Sequence, residues 1–355
     1  MNSHWRELLS SLPAATPATP AEQFAALQTG SFASVLADAG LITVSGADAA
    51  DFLHNQLTSD IERLPADMAR LAGYCSAKGR LLATFLAWRN PVQDDTQISL
   101  VCAADVQSAV QKRLSMFVLR ARAKLTDGTA ERMLIAVGGP AATHVLAQHF
   151  AALPTVPLAV VHDAGGSLVR LPDAGDARTL PRYLWSVPAD AAAAAWQALL
   201  AAPGLVAVQP ELAHWLDVRS GVPSIVAATQ EQFVPQMINW EVLGGVNFRK
   251  GCYPGQEVVA RSQYRGVIKR RLFLAHLDGG QPAPGRELFE AADPGQPCGL
   301  IVNTAPAPQG GWDCLVELKL TAHEADAVHL GTAEGPRLQF AELPYVLFDP
   351  TETTS

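Results

Sequence analysis

The chain has 355 residues, 49% apolar and 17% charged, with a formal net charge of −8. That length exceeds one ordinary core and predicts two or three domains. The acidic balance argues against a dedicated nucleic-acid binder, which carries a basic domain, but leaves room for a local basic face.

Residues 1–33 read as a flexible leader, because Ser11 to Ala21 is a run of Pro, Ala, Thr and Ser that builds no core. Met1 to Gln23 lacks a basic stretch followed by an apolar one, and no apolar run reaches bilayer length, so neither a secretory signal nor a membrane span is expected. Structure is expected from Ser34. Leu41–Val44 predicts a strand closed by Ser45-Gly46. Asp48 then suits a helix N-cap, with Phe52, Leu53, Gln56 and Leu57 at helical spacing. Strands follow at Ala69–Cys75, Arg80–Trp88 and Gln97–Cys102, the first two joined by the turn Ser76-Ala77-Lys78-Gly79.

A helix is predicted next, with Val106, Val110, Leu114 and Phe117 on one stripe. Strands Arg122–Leu125 and Met133–Val137 precede a helix from Gly138-Gly139-Pro140 to about Phe150. A strand pair between Leu158 and Leu171, a strand at Arg182–Val187 and a helix at Ala189–Leu200 follow. Pro210–Pro223 gives a further helix, ended by Gly221. Alternating helices and hairpins predict an α+β fold of ferredoxin-like units. Beyond Lys269 only short strands and Gly/Pro loops are expected, as in an antiparallel β-barrel or sandwich. The boundary is placed near Arg265.

The five cysteines, Cys75, Cys102, Cys252, Cys298 and Cys314, form no CxxC pair, so no zinc ribbon is expected; a reduced, cytoplasmic thiol state is the simplest reading. No metal site is expected. The segment richest in chemistry runs from Phe233 to Lys269. Pro254 falls where a helix would begin, and Cys252 lies just before it, flanked by Arg249 and Lys250. A helix start and neighbouring cations favour a thiolate. The same position equally suits a small buried cysteine in a tight turn or a bound carboxylate.

Arg249, Lys250, Arg261, Arg265, Lys269, Arg270 and Arg271 face only Glu257 in this window. They form either a docking face for a polyanion, such as an oligoglutamate tail or RNA, or a solvated edge. Asp60 either binds a ligand or caps a turn. Trp215 either stacks on a flat ligand or packs in the core.

Lys250-Gly251-Cys252-Tyr253-Pro254-Gly255-Gln256-Glu257-Val258-Val259-Ala260-Arg261 closely resembles the signature of the YgfZ family, bacterial folate-binding proteins related to the aminomethyltransferase (T-protein) of the glycine cleavage system. LITVSGADA from Leu41, QLTSDI from Gln56, SAKGRL from Ser76, the stretch Gln230–Gln236 with Asn239, and Leu343-Pro344-Tyr345 extend the resemblance over nearly the whole chain. It implies two interleaved α+β parts, here 34–50 with 130–264 and 51–129, and a β-barrel at 265–348 closing a ring. It further implies tetrahydrofolate in a central channel. The family role is support of iron–sulfur enzymes, including those that thiolate tRNA. Carried over, Cys252 is the reactive candidate. Lys250, Gly251, Tyr253, Gln256, Glu257, Arg261, Gln236, Asn239, Asp60, Trp215 and Arg219 are candidate folate contacts, with Gly255 in the motif.

The chain departs from the transferases at two places. Arg80-Leu81-Leu82-Ala83-Thr84 lacks their paired aspartates, and Arg219 stands where they carry a glutamate. Both changes argue against aminomethyl transfer. Ala39 and Ala213 replace tryptophans of some relatives. The alternatives are a folate-dependent one-carbon transferase and a non-catalytic module binding RNA or protein.

Overall fold

The structure, a computed structural model, describes residues 18–91, 94, 96–264 and 268–347. Most of the expected leader and the boundary expected at Arg265 lie outside the described residues. The chain opens with helix α1 (Pro20–Gln28), strands β1 (Ser31–Val35) and β2 (Ala39–Ser45), and helix α2 (Ala49–His54). Strands β3 (Arg70–Cys75), β4 (Leu81–Arg89) and β5 (Ile98–Ala103) precede helix α3 (Ala104–Ser115), then β6 (Lys124–Asp127) and β7 (Arg132–Gly138). Helix α4 (Pro140–Leu146), β8 (Val160–Asp163), β9 (Gly166–Arg170) and β10 (Arg182–Pro188) follow. Helix α5 (Ala189–Ala201), β11 (Leu205–Ala207), α6 (Pro210–Arg219) and α7 (Gln256–Tyr264) complete this portion.

Ordered structure starts before Ser34. Thr19 Oγ1 accepts the Glu22 N–H (3.3 Å), and the Glu22 carboxylate accepts the Thr19 N–H (2.7 Å). With Pro20 in the first turn, Thr-Pro-Ala-Glu is a capping box, and α1 begins there. Phe24 and Leu27 on α1 are buried. The alanine-rich composition concealed a short helix that owes its stability to packing.

The strands after α1 form two sheets, ordered β11-β1-β7-β10-β9-β8 and β3-β4-β5-β2-β6. β2 pairs with β5 and β6, with Leu41 opposite Val101 and Val44 opposite Leu125. The chain therefore changes sheet between Val35 and Ala39, earlier than the expected division at residue 50. Two consecutive apolar strands gave no sign of that crossing. Helices α4 and α5 cover the first sheet through Val145, Leu146, Trp196 and Leu199. Helices α2 and α3 cover the second through Phe52, Leu53, Val106, Val110 and Leu114. Phe117 is not on that stripe: α3 ends at Ser115 and Phe117 is 45% exposed.

Between the sheets, Leu41 and Trp88 of the second pack with Leu134, Val169 and Leu184 of the first. Each such fully buried side chain contributes about 1.5–3 kcal/mol. The sheets also meet at their edges, where Ala69 N–H donates to Leu158 O (2.7 Å) and Val160 N–H to Asp67 O (2.8 Å).

The last third contains β12 (Arg270–Leu277), β13 (Glu287–Glu290), β14 (Asp293–Pro306), β15 (Trp312–Lys319), helix α8 (Leu320–Ala325), β16 (Val328–Leu330) and β17 (Gln339–Ala341). The strands form one antiparallel sheet, β16-β13-β14-β15-β12-β17, curled into a half-barrel. Its two ends approach through one segment. Leu330 N–H donates to Pro336 O, Leu338 N–H donates to Val328 O, and β17 pairs with β12. In this third, helix α8 departs from the expectation of strands and loops alone; elsewhere α1, β1 and β11 were also absent from the sequence reading. No helix among the described residues is long and apolar enough to cross a membrane.

Candidate functional site

The loop before α7 is fastened at two places, the β3–β4 turn of the second sheet and the C-terminal end of α2. Gly255 (φ +78°) lies against the Ser76–Gly79 turn between β3 and β4; an added Cβ would meet Ser76 O at 2.4 Å and Gly79 N at 2.6 Å. Gly79 (φ +70°) is tight in return: an added Cβ there would meet Val258 Cβ at 2.8 Å. Positive φ and close backbone approach both demand glycine. SAKGRL and KGCYPGQE, distant in sequence, are thus two sides of one contact. Helix α7 begins at Gln256, two residues beyond Pro254, so Cys252 lies four residues before the helix rather than at its first turn.

Lys250 makes the second attachment. Its ammonium donates to His54 O, the last residue of α2, and to Leu57 O (2.8 Å), and lies 5.0 Å from the Tyr253 ring centre. These carbonyls are at a helix C-terminus, where a cation is favoured. Burial dominates its titration and pushes the amine down to about 8, partly offset by Asp60 and Cys252. Tyr253 is buried, and desolvation pushes its phenol up. Cys252 is exposed, unlike the other four cysteines. Desolvation holds those four thiols near 12, 12, 11 and 12 for Cys75, Cys102, Cys298 and Cys314.

Beneath this loop lies His54, which sequence reasoning missed. Its Nδ1 is 3.1 Å from Asp60 Oδ1, and both residues are buried. Asp60 also accepts the Arg63 N–H (3.2 Å), and its carbonyl accepts from the Arg70 guanidinium. Burial would raise the Asp60 carboxyl, but the Arg63 bond and the His54 and Arg70 charges outweigh it and hold the group low. A Cβ on Gly251 would stand 3.5 Å from His54 Nε2.

Gln236 and Asn239 serve the scaffold. Gln236 Nε2 donates to Val259 O (2.9 Å) and Gln263 Oε1 (3.2 Å), tying α7 to the turn Pro235–Ile238. Asn239 takes a left-handed conformation (φ 57°) and exchanges hydrogen bonds with Leu272 of β12, at 3.0 and 3.2 Å. Next to it, Glu241 and Arg271 form a buried ion pair. Arg270 pairs with Glu317. Two cations of the expected basic face are therefore spent inside the protein. Arg249, Arg261, Lys269 and the lone acid Glu257 remain exposed, and Gln256 is half-buried.

A cavity of about 430 Å³ opens beside the motif loop. Arg70, Leu71, Asn247, Phe248, Arg249 and Tyr264 form much of its wall. The Phe248 and Tyr264 rings meet edge-on, with centroids 5.8 Å apart. Two wider concavities, about 810 and 990 Å³, lie on the half-barrel around His323 and Phe340, the first lined also by Leu343, Pro344 and Tyr345; none of the three is lined by Lys250–Arg261 itself.

A comparison of sequences settles the family. The tRNA-modifying protein YgfZ of Klebsiella pneumoniae (strain 342) is 31% identical over 338 residues, which is 94% of this chain and 99% of that protein. The chain belongs to the YgfZ family. The tRNA-modifying protein YgfZ of Serratia proteamaculans (strain 568) is 34% identical over 258 residues, covering 72% of this chain and 74% of that protein. No protein-family model matches the chain. The fold resembles the glycine cleavage system aminomethyltransferase T of Bartonella henselae (TM-score 0.74, 19% identity), over 94% of this chain and 91% of that one.

Within this YgfZ-family chain, Trp215 and Arg219 stand apart from the motif. Trp215 is 3% exposed, packs edge-on against Phe24 (5.8 Å) and donates its indole N–H to Asp313 (2.7 Å). No ring face remains for a ligand. Arg219 donates to Asp176 (2.6 Å) and lies 3.8 Å from Asp313. Both residues join α6 to the half-barrel. Thus Asp60, Lys250 and Gly251 meet at His54, with Tyr253 beside Lys250 and Cys252 next in the chain; Gln236 and Asn239 brace α7 and β12, and Trp215 and Arg219 lie elsewhere.

Proposed function

We propose that this chain is a tetrahydrofolate-binding accessory protein for tRNA modification, acting in the cytosol in support of iron–sulfur enzymes that thiolate tRNA. The observation that carries the reading is the cavity beside the fastened motif loop. Its volume lies in the range of ligand sites. Folate is a flat aromatic ligand with carboxylates on its tail. Phe248 and Tyr264 supply aromatic wall, and Arg249, whose guanidinium makes no hydrogen bond or ion pair among the described residues, suits a tail carboxylate. The lining holds no carboxylate, so it offers the pterin the oxygens of Ser59, Asn247 and Tyr264 and main-chain carbonyls. Bound tetrahydrofolate would supply amine nitrogens that carry one-carbon groups. The chain's own residues orient the ligand, and Cys252 lies on the same loop, three residues beyond Arg249.

In this reading the two α+β halves are the ferredoxin-like pair of the resemblance, and with the half-barrel they close a ring around the ligand. Glu257 and Arg261 on α7 are exposed for the partner, with Gln256 half-buried between them and the loop. Accessory action is favoured over aminomethyl transfer because β4 carries no carboxylate. Thr84, in that stretch, accepts the Ile225 N–H (3.0 Å) and is buried.

Complementation tests the role. The chain is expressed in Klebsiella pneumoniae lacking its own relative, and thiolated nucleosides in bulk tRNA are measured by mass spectrometry. Wild type restores them and Cys252→Ala does not. Failure of the well-expressed wild type to restore them would overturn the role. Full restoration by Cys252→Ala would leave the cysteine merely structural.

A further inference from the structure

We propose that His54 is the proton acceptor for Cys252, held in that role by Asp60. The proposal deepens the reading of the motif loop as the reactive part of the protein.

The Asp60 carboxylate only accepts hydrogen bonds, so the His54 nitrogen facing it at 3.1 Å, Nδ1, carries the proton. In the neutral ring this leaves Nε2 with the lone pair. His54 is 8% exposed, and Nε2 makes no hydrogen bond among the described residues. The base is therefore oriented by one bond and unoccupied at the other nitrogen, the arrangement that activates a thiol or hydroxyl nucleophile.

The motif then places the thiol. Lys250 is clamped to the carbonyl of His54 itself and to Leu57 O, which lays the following residues over the ring. Gly251 passes so close that its missing Cβ would sit 3.5 Å from Nε2. A side chain at 251 would occupy the space in front of that nitrogen; glycine leaves it open. Cys252 comes next, and its side chain is exposed. The Cys252 Cα is about 3.8 Å from that of the glycine that faces Nε2. Lys250, Gly251 and Cys252 thus act as clamp, opening and nucleophile.

The step is a proton transfer: the S–H bond of Cys252 breaks, the N–H bond forms on His54 Nε2, and the electron pair stays on sulfur. The charged groups around the ring are Asp60 at Nδ1, Arg70 on the Asp60 carbonyl, and the Lys250 ammonium on the His54 carbonyl. Asp60 stabilises the imidazolium, and Lys250 stabilises the thiolate.

The test uses iodoacetamide, whose carbon takes the sulfur electron pair as iodide leaves. Only Cys252 is exposed, so each native molecule takes up one label, counted by intact mass. Rates are followed from pH 6 to 8.5 in wild type, His54→Gln and Asp60→Asn. A plain thiol loses about tenfold in rate per pH unit below its own range. Wild type is expected to lose much less than that between pH 7.5 and 6.5. His54→Gln should follow the plain-thiol slope and fall at least tenfold below wild type at pH 6.5, with Asp60→Asn between them. A second label would report a disturbed fold rather than a lost base, and Cys252 in that variant would then be compared after conservative His54→Asn replacement. An unchanged pH profile in His54→Gln overturns the proposal. Tetrahydrofolate titration of the same variants reads the cavity separately, so failure of ligand binding and failure of the relay are distinguishable.

Discussion

Replacing Gly255 with alanine tests whether the motif loop is locked onto the Ser76–Gly79 turn. Two costs arise. The residue has φ +78°, and an L side chain in the left-handed region costs about 1–2 kcal/mol. The new Cβ would also meet backbone at 2.4 and 2.6 Å, which cannot rotate away, and overpacking of that kind costs about 1–3 kcal/mol. Alanine also restricts the unfolded chain, which returns up to about 1 kcal/mol. Gly244 is the control. Its φ is +77° with no atom within 4 Å of an added Cβ, so it has the first cost and not the second. The unfolded-state term cancels between the two variants. Urea unfolding should therefore show Gly255→Ala less stable than Gly244→Ala by about 1–3 kcal/mol, at similar denaturant slope. Equal losses would refute the packing of motif against turn.

The remaining predictions concern the scaffold. Arg271→Met strands the buried Glu241 carboxylate and should destabilise by about 3–5 kcal/mol in the same assay. Trp215→Ala should cost about 3–5 kcal/mol of stability, while tetrahydrofolate affinity, measured on the folded fraction, stays within threefold. His214 is bound by Asp38 (2.5 Å) and Asp217 (3.3 Å). Burial would push its ring down, yet these bonds prevail and raise it to about 10. A raised folded value means a stabilisation complete below about pH 6.5 and lost as pH climbs toward 10. His214→Gln should flatten the decline in thermal stability over that window, and an unaltered decline would remove His214 as its source.

The motif was legible because its demands are local. Gly79, Gly251 and Gly255 are written in the sequence, and so is the capping box at Thr19, although its surrounding composition hid it. His54 was not legible. Its carboxylate partner is six residues on, and the loop that gives Nε2 a purpose is attached through a contact spanning 196 positions. Arg270 and Arg271 were counted into a basic face because their acids, Glu317 and Glu241, lie 47 and 30 residues away. Trp215 reads equally as ligand platform or core until Asp313, 98 residues later, takes its N–H. Side chains whose meaning depends on a partner from another sheet carry no periodic signal. The strands and most helices did carry one, since periods of 2 and 3.6 are properties of the segment itself.

Anaerobic calorimetric titration with tetrahydrofolate, on wild type and Arg249→Ala, tests the central claim most directly. The account predicts saturable one-to-one binding to wild type and at least fivefold weaker binding to Arg249→Ala. No heat and no thermal stabilisation of wild type by excess tetrahydrofolate would contradict it. Equal affinity of the two proteins would place the ligand outside this cavity.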